Sequence, residues 1–278
     1  MSSLRLDLNP TMGGWFVGAL FSVMFYGVTC AQGVYYCRHY FSPDKKSIKA
    51  LVAFVWALDT VITISDVCVT WSFLVQGHAN LLALNVIPKL YVLEYATTTV
   101  TTCIVQVFYI HGIWQLLDQS YPSSIKWTVT LVPMILSLLS VVFGIVGVHI
   151  STAHGWIISK TLPPDTVPTA IRVCAAAVAD VWICVSISWA LRNKMTGFKR
   201  TDSVLQKLTI YIIHRGILTT VLQIALLGTY LGSIYQTKLI WAIFHCAGGK
   251  IYVNSMMAVL NARLHLKSGV SHASAYTF

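Results

Sequence analysis

Residues 50–75 read ALVAFVWALDTVITISDVCVTWSFLV, a 26-residue stretch in which Asp59 and Asp66 are the only ionisable acids or bases. An α-helix needs about 20 predominantly apolar residues to cross the roughly 30 Å hydrocarbon core of a bilayer. The stretch is therefore read as a membrane-spanning helix. A charged residue at the centre of such a helix costs about 2.5 to 3.5 kcal/mol even on insertion scales, so the two acids call for a reason. They are seven residues apart, which puts them within about 20° of each other around the helix and about 10 Å apart along its axis. One face of the helix thus carries two acids.

Working outward, the same window finds seven candidate spans, at about 14–36, 50–75, 89–117, 127–150, 167–191, 208–231 and 239–262. Turn chemistry separates them at Ser42-Pro43-Asp44, Tyr121-Pro122 and Pro163-Pro164-Asp165. The chain is 56% hydrophobic and 10% charged, with a mean hydropathy of +0.70. Soluble domains sit near 45 to 50% apolar even with glycine counted. The polar gaps leave no room for a separate soluble domain. The expected fold class is an all-α, polytopic membrane protein, a seven-helix bundle over 1–266 followed by a small-residue-rich, disordered tail over 267–278.

The net charge of +10 invites a nucleic-acid reading until the basic residues are placed. Arg38, Lys45, Lys46, Lys49, Lys126, Arg192, Lys194, Lys199, Arg200, Lys207, Arg263 and Lys267 fall on one side of the alternating spans, twelve against four (Arg5, Lys89, Lys160, Lys238) on the other. The positive-inside rule then puts the N-terminus outside and the C-terminus in the cytoplasm, as an odd number of spans requires. The expected partners of the basic side are anionic inner-leaflet lipids, not nucleic acid. The first span lacks a small-residue cleavage site and is read as a retained helix. The seven cysteines lie in or beside apolar segments without a CxxC or Cys/His spacing, so neither a disulfide framework nor a metal site is expected. No cofactor is expected either.

Two strings carry a resemblance. Residues 197–203, GFKRTDS, enter helix six, and residues 249–263, GKIYVNSMMAVLNAR, close helix seven. With Tyr26-Gly27, Gln32, Tyr35-Tyr36 and Trp56-Ala57-Leu58-Asp59-Thr60, they resemble an uncharacterised seven-helix membrane-protein family of mushroom-forming fungi, known as a domain of unknown function. The resemblance implies a seven-helix fold in a fungal membrane and supplies no activity. His214-Arg215-Gly216 departs from the family pattern, where a less charged sequence such as Asn-x-Gly is expected.

The intramembrane polar residues are the candidate site. On helix seven, Lys250, Asn254, Met257 and Asn261 share a face by the i, i+4, i+7, i+11 spacing. Asp180 lies halfway along helix five. One reading has Lys250 locking helices two, five and seven together through ion pairs. The other starts from the imbalance: three acids facing one lysine leave at least one carboxyl expected to be protonated, able to donate to a ligand or act as a general acid. Glu94, followed by Thr98, Thr101 and Thr102 on nearly the same face, either marks a hydroxyl-lined mouth or packs with threonines bonded to their own helix. Arg172 is the expected partner of Glu94, with snorkelling to the interface as the alternative. His214 and Arg215 read first as interfacial anchors and second as a gate. His111 and His245 read as satisfied bundle residues, and Trp15, Trp127, Trp156 and Trp241 as an interfacial aromatic belt.

Three functions fit such a chain. A receptor or sensor needs a pocket between helices for a small apolar or amphiphilic ligand, here centred on Asp59, Asp66, Glu94, Thr98, Asp180, Lys250 and Asn254. The chain lacks the Asp-Arg-Tyr and Asn-Pro-x-x-Tyr strings of the common receptor class, so coupling to a G protein is not supported. A membrane-embedded acid-base enzyme, such as an isoprenoid or terpenoid cyclase, would use Asp59, Asp66 or Asp180 as the acid, with Trp56, Trp182, Tyr95 and Tyr252 as cation-stabilising faces. A proton-coupled transporter would need an internal repeat, and none is visible. A retinal pump is disfavoured because Cys246 stands one turn before Lys250, where an acid is needed. Receptor-like sensing ranks first.

Overall fold

The computed structural model describes residues 12–40, 44–77, 85–117, 121–194, 199–234 and 238–272, with side chains for all of these except 199–204 and 263–272. Arg5, Gly197, Phe198, the side chains of 199–203, Arg263 and Lys267, and the tail beyond His272 lie outside the described residues. Seven α-helices occupy the seven apolar windows: α1 (Gly14–His39), α2 (Lys46–Trp71, prolonged by a π turn, Ser72–Gln76), α3 (Lys89–Leu116), α4 (Ser123–Ala153), α5 (Ile158–Asn193), α6 (Lys199–Ser233) and α7 (Trp241–His272). The helical path of α7 continues past residue 267.

Short connections between consecutive helices force antiparallel neighbours. The helices follow one another around a ring that α7 closes against α1, while α3 also packs on α5 and α7, and α2 reaches α7. The end holding the start of α1 and the α2–α3, α4–α5 and α6–α7 connections is called upper here; the other end is lower. Burial is inverted relative to a soluble bundle: Met24 and Ile145 are 68% and 64% exposed, whereas Asp59, Asp66, Glu94, Asp180 and Lys250 are completely buried. Apolar side chains outside and polar ones inside suit a helical bundle solvated by lipid. Five helices, α1, α2, α4, α5 and α6, are long and apolar enough to cross a membrane, as in a multi-pass membrane protein. Among the described residues α3 and α7 fall short of that apolarity; α3 buries Glu94, three threonines and Gln106, and α7 buries His245, Lys250 and Asn261.

Small residues bring α1 and α7 into close contact. A Cβ on Gly14 would lie 2.7 Å from the Leu239 carbonyl oxygen, and one on Gly18 would lie 2.8 Å from that of Ala242. Small residues at i and i+4 let membrane helices approach backbone to backbone. Lower down, Asn254 Nδ2 donates to Phe25 O (3.1 Å), Asn261 Nδ2 to Gln32 O (2.9 Å) and Tyr40 Oη to Asn261 O (2.8 Å).

Pro163-Pro164 does not break the chain: α5 begins at Ile158 and runs through Pro163, Pro164 and Pro168. A tertiary cap explains the earlier start. Ile157 pairs with Val86 in an isolated bridge, Ile158 N donates to Asn85 O (2.9 Å), and Ser159 N donates to Asn85 Oδ1 (3.3 Å). The helix is thus nucleated from outside, and its prolines withhold donors only at a few early positions. The preceding corner is a left-handed turn, with Gly155 and Trp156 both at φ 63° and Trp156 O accepting from Ile87 N at 2.7 Å. The aromatic belt is also only partial. Trp127 is exposed, but Trp15 and Trp241 are buried, meeting edge to face at 6.3 Å, because the close α1–α7 contact turns both rings inward.

Candidate functional site

The buried charges form separate interhelical clusters rather than one site. Lys250 on α7 donates to Asp59 Oδ1 (2.8 Å), Asp59 O (2.7 Å) and Thr63 Oγ1 (2.5 Å), which uses all three ammonium protons. Thr63 sits one turn after Asp59 on α2 and returns its own proton to Asp59 O (2.8 Å). The second carboxylate oxygen, Asp59 Oδ2, is buried without a partner. Removing one member of such a pair costs about 3 to 5 kcal/mol, because the other charge is left in a low dielectric. Lys250 is thus a clasp between α2 and α7.

Two turns further along the same α2 face, Asp66 has a different environment. Ser22 Oγ donates to Oδ2 at 2.6 Å and the Cys246 thiol to Oδ1 at 3.5 Å. No cation lies within ion-pairing distance of it among the described residues. Ser22 follows Gly14 and Gly18 at the same four-residue spacing, so the stripe that admits α7 also delivers a hydroxyl to α2.

Glu94 is held by His245 Nε2 (3.0 Å) and Thr98 Oγ1 (2.8 Å). His245 thus takes the place expected for Arg172. Thr99 and Thr101 bond back to the carbonyls of Tyr95 and Thr97. Asp180 is the centre of a four-helix knot: Arg215 Nη2 donates to Oδ1 (3.1 Å), Gln106 Nε2 to Oδ1 (3.2 Å) and Tyr252 Oη to Oδ2. Arg215 is therefore not an interfacial anchor. It is 5% exposed, its guanidinium 4.1 Å from the Tyr109 ring centre. His214 is exposed and bonds to Ile210 O, as snorkelling would have it, while Arg215 turns inward because Asp180 lies opposite. The single-lysine imbalance thus has a structural correction. Arg215 and His245 supply partners for Asp180 and Glu94, and Asp66 is left without one.

Two adjoining cavities lie on the α4–α6 side of this framework. The upper one holds about 810 Å³ of space between atoms, counting its open mouth, and is walled by Trp15, Phe73, Tyr91, Tyr95, Trp156, Tyr230 and Trp241 with Asp165, Arg172 and His245. The second, deeper one is lined largely by hydroxyls and amides: Thr98, Thr99, Thr102, Gln106, Ser137, Ser140, Thr219, Gln223 and Tyr252. Arg172, Leu226 and His245 line both. Of the site residues expected from sequence, Thr98 lines the deeper cavity, whereas Asp59, Asp66, Glu94, Asp180, Lys250 and Asn254 line neither. Trp56 and Trp182 face outward, 45% and 37% exposed, so they offer no cavity face, while Tyr95 and Tyr252 do. Sequence reasoning missed Asp165, which it placed in a loop. Its neighbour pattern, Asp165, Thr169 and Arg172 at i, i+4 and i+7, is the signal that would have found the cavity face of α5.

Residues 176–265 match a family of unknown function, DUF6534. The matched stretch runs from the middle of α5 into α7 and contains Asp180, Arg215, Lys250 and both strings noted above. No curated protein and no solved structure matches the chain.

Proposed function

We propose that the protein is a receptor-like sensor of a small apolar or amphiphilic ligand held in the paired cavities between the helices. In this reading all seven helices cross the membrane, the buried polar residues of α3 and α7 being turned toward the bundle interior. The basic lower end faces the cytoplasm and anionic lipids, and the upper cavity opens outward. The fungal setting belongs to the same proposal, on the strength of the helix-six and helix-seven strings.

One observation carries it. Gln223 and Tyr252 line the deeper cavity, Gln223 Nε2 donates to Tyr252 Oη (3.2 Å), and Tyr252 Oη is bonded to the same Asp180 that holds Arg215 of α6. A ligand that displaces Tyr252 thereby alters a buried ion pair toward the lower half, and a bistable buried pair is a physical means of relaying occupancy. Catalysis by Asp59, Asp66 or Asp180 draws no support from the geometry, since none of the three lines either cavity and each is engaged at a helix interface.

The test combines mass spectrometry of small molecules that copurify with the protein and hydrogen exchange along α6, with and without the recovered compound. Tyr252→Phe is expected to keep the compound and lose its effect on exchange around Arg215. Retention of the full exchange response in that variant, or recovery of a chemically converted compound, sinks the sensor proposal.

A further inference from the structure

We infer that Arg172 is the anchor for a carboxylate, so that the ligand of the upper cavity is an apolar monocarboxylate. This rests on the proposal that the cavities bind a ligand and adds its chemical class. Among the described residues, Lys250, Arg215 and Arg172 are the lysine and arginine side chains within the helical bundle away from its ends. The first two have carboxylates at 2.8 and 3.1 Å. Arg172 has none within ion-pairing distance among the described residues, and its Nε is buried without an acceptor. Its guanidinium lies 5.0 Å from the centre of the Tyr95 ring, which leaves the donors in the guanidinium plane free. Arg172 is half-buried, its Nε fully so, and its planar fork, open to the cavities, matches a carboxylate in two parallel hydrogen bonds.

Its position is also that of an anchor. Arg172 stands where the aromatic upper cavity meets the hydroxyl-lined one, so an apolar body can occupy the first while its acid group turns toward the second. Gly144 on α4 keeps that space clear: a Cβ there would lie 3.2 Å from Thr99 Cγ2 and 3.6 Å from Arg172 Cδ. Asp165, two turns above on the same α5 face, already receives Thr169 Oγ1 (2.8 Å) and Tyr230 Oη (3.2 Å) on Oδ2. Its Oδ1 has no donor, so an amine is the competing ligand class. The unmatched cation outweighs it because Asp165 is already served by two hydroxyls and Arg172 by none. Asp165 within the same cavity, and Glu94 behind His245, oppose a second negative charge, which favours a carboxylate over a phosphate monoester.

The experiment is calorimetric titration of the full chain in neutral-lipid nanodiscs with four probes of one shape: 2-naphthoate, its methyl ester, 2-naphthylmethylamine and 2-naphthyl phosphate. The carboxylate is expected to bind about tenfold or more tighter than each of the others. Arg172→Gln is expected to weaken the acid far more than the ester, so that the two bind about equally and the remaining ester binding reports an intact cavity, and Arg172→Lys is expected to restore part of the acid's advantage. Equal binding of acid and ester overturns the anchor and leaves the cavity as a ligand site. A preference for the amine or the phosphate overturns the assigned class. Binding of none of the four overturns this inference together with the proposal on which it rests.

Discussion

Replacing Lys250 by Met measures what the α2–α7 clasp contributes. The substitution keeps the unbranched apolar stem and deletes the ammonium, so Asp59 Oδ1 loses its 2.8 Å partner while Oδ2 already has none. A fully buried carboxylate would then be left without a donor from another helix, a situation that costs about 3 to 5 kcal/mol. At about 2 to 4 °C per kcal/mol, the unfolding midpoint should fall by roughly 6 to 20 °C. The assay is thermal unfolding followed by intrinsic tryptophan fluorescence in mild detergent. The companion variant, Lys250→Met with Asp59→Leu, replaces both charges by apolar groups, which is often neutral or stabilising for buried pairs. It should recover most of the loss and give a large coupling in the double-mutant cycle. A single variant within about 2 °C of the parent, or a double variant as unstable as the single, refutes the clasp.

Gly18→Leu should separate α1 from α7, since even a Cβ there meets the Ala242 carbonyl oxygen at 2.8 Å; a loss of about 1 to 3 kcal/mol, or failure to accumulate, is expected in the same unfolding assay. Ser22→Ala leaves Asp66 with only the Cys246 thiol and should cost about 1 to 3 kcal/mol, most of it regained when Asp66 is also made Leu, as read from paired unfolding midpoints. Asn85→Ala removes the side-chain cap on Ser159 and should destabilise the start of α5 by about 0.5 to 2 kcal/mol, seen as faster amide exchange over 158–162 without a change in the lower half of the bundle.

Seven helices were legible in the apolar windows, and for α1, α2, α4, α5 and α6 length and apolar composition suffice to make them candidate spans. Partners were less legible. Helical phase put Asp59 and Asp66 on one face, yet nothing in α2 says that Lys250 reaches the first and Ser22 the second. That depends on how closely α1 and α7 approach, set by Gly14 and Gly18. Arg215 was misplaced for the same reason: depth along a helix suggested snorkelling, whereas Asp180 on the neighbouring helix made inward burial the lower-energy choice. The proline pair at 163–164 was read by its local preference and overruled by Asn85, more than seventy residues earlier. The cavities escaped notice because they are lined by residues that look unremarkable in sequence, hydroxyls and aromatic side chains, while the conspicuous charges went into holding the walls.

The two helices that fall short of membrane-spanning apolarity also bear on how the protein is made. Glu94 on α3 depends on His245, and Asp59 on α2 depends on Lys250, and both partners arrive with the last helix. If all seven helices cross the membrane as proposed, a nascent chain that has not yet delivered residue 250 holds two buried acids without counterparts, and insertion of the final helix is coupled to completion of the bundle. Truncations ahead of it should be retained and degraded as unassembled membrane protein instead of persisting as a six-helix form.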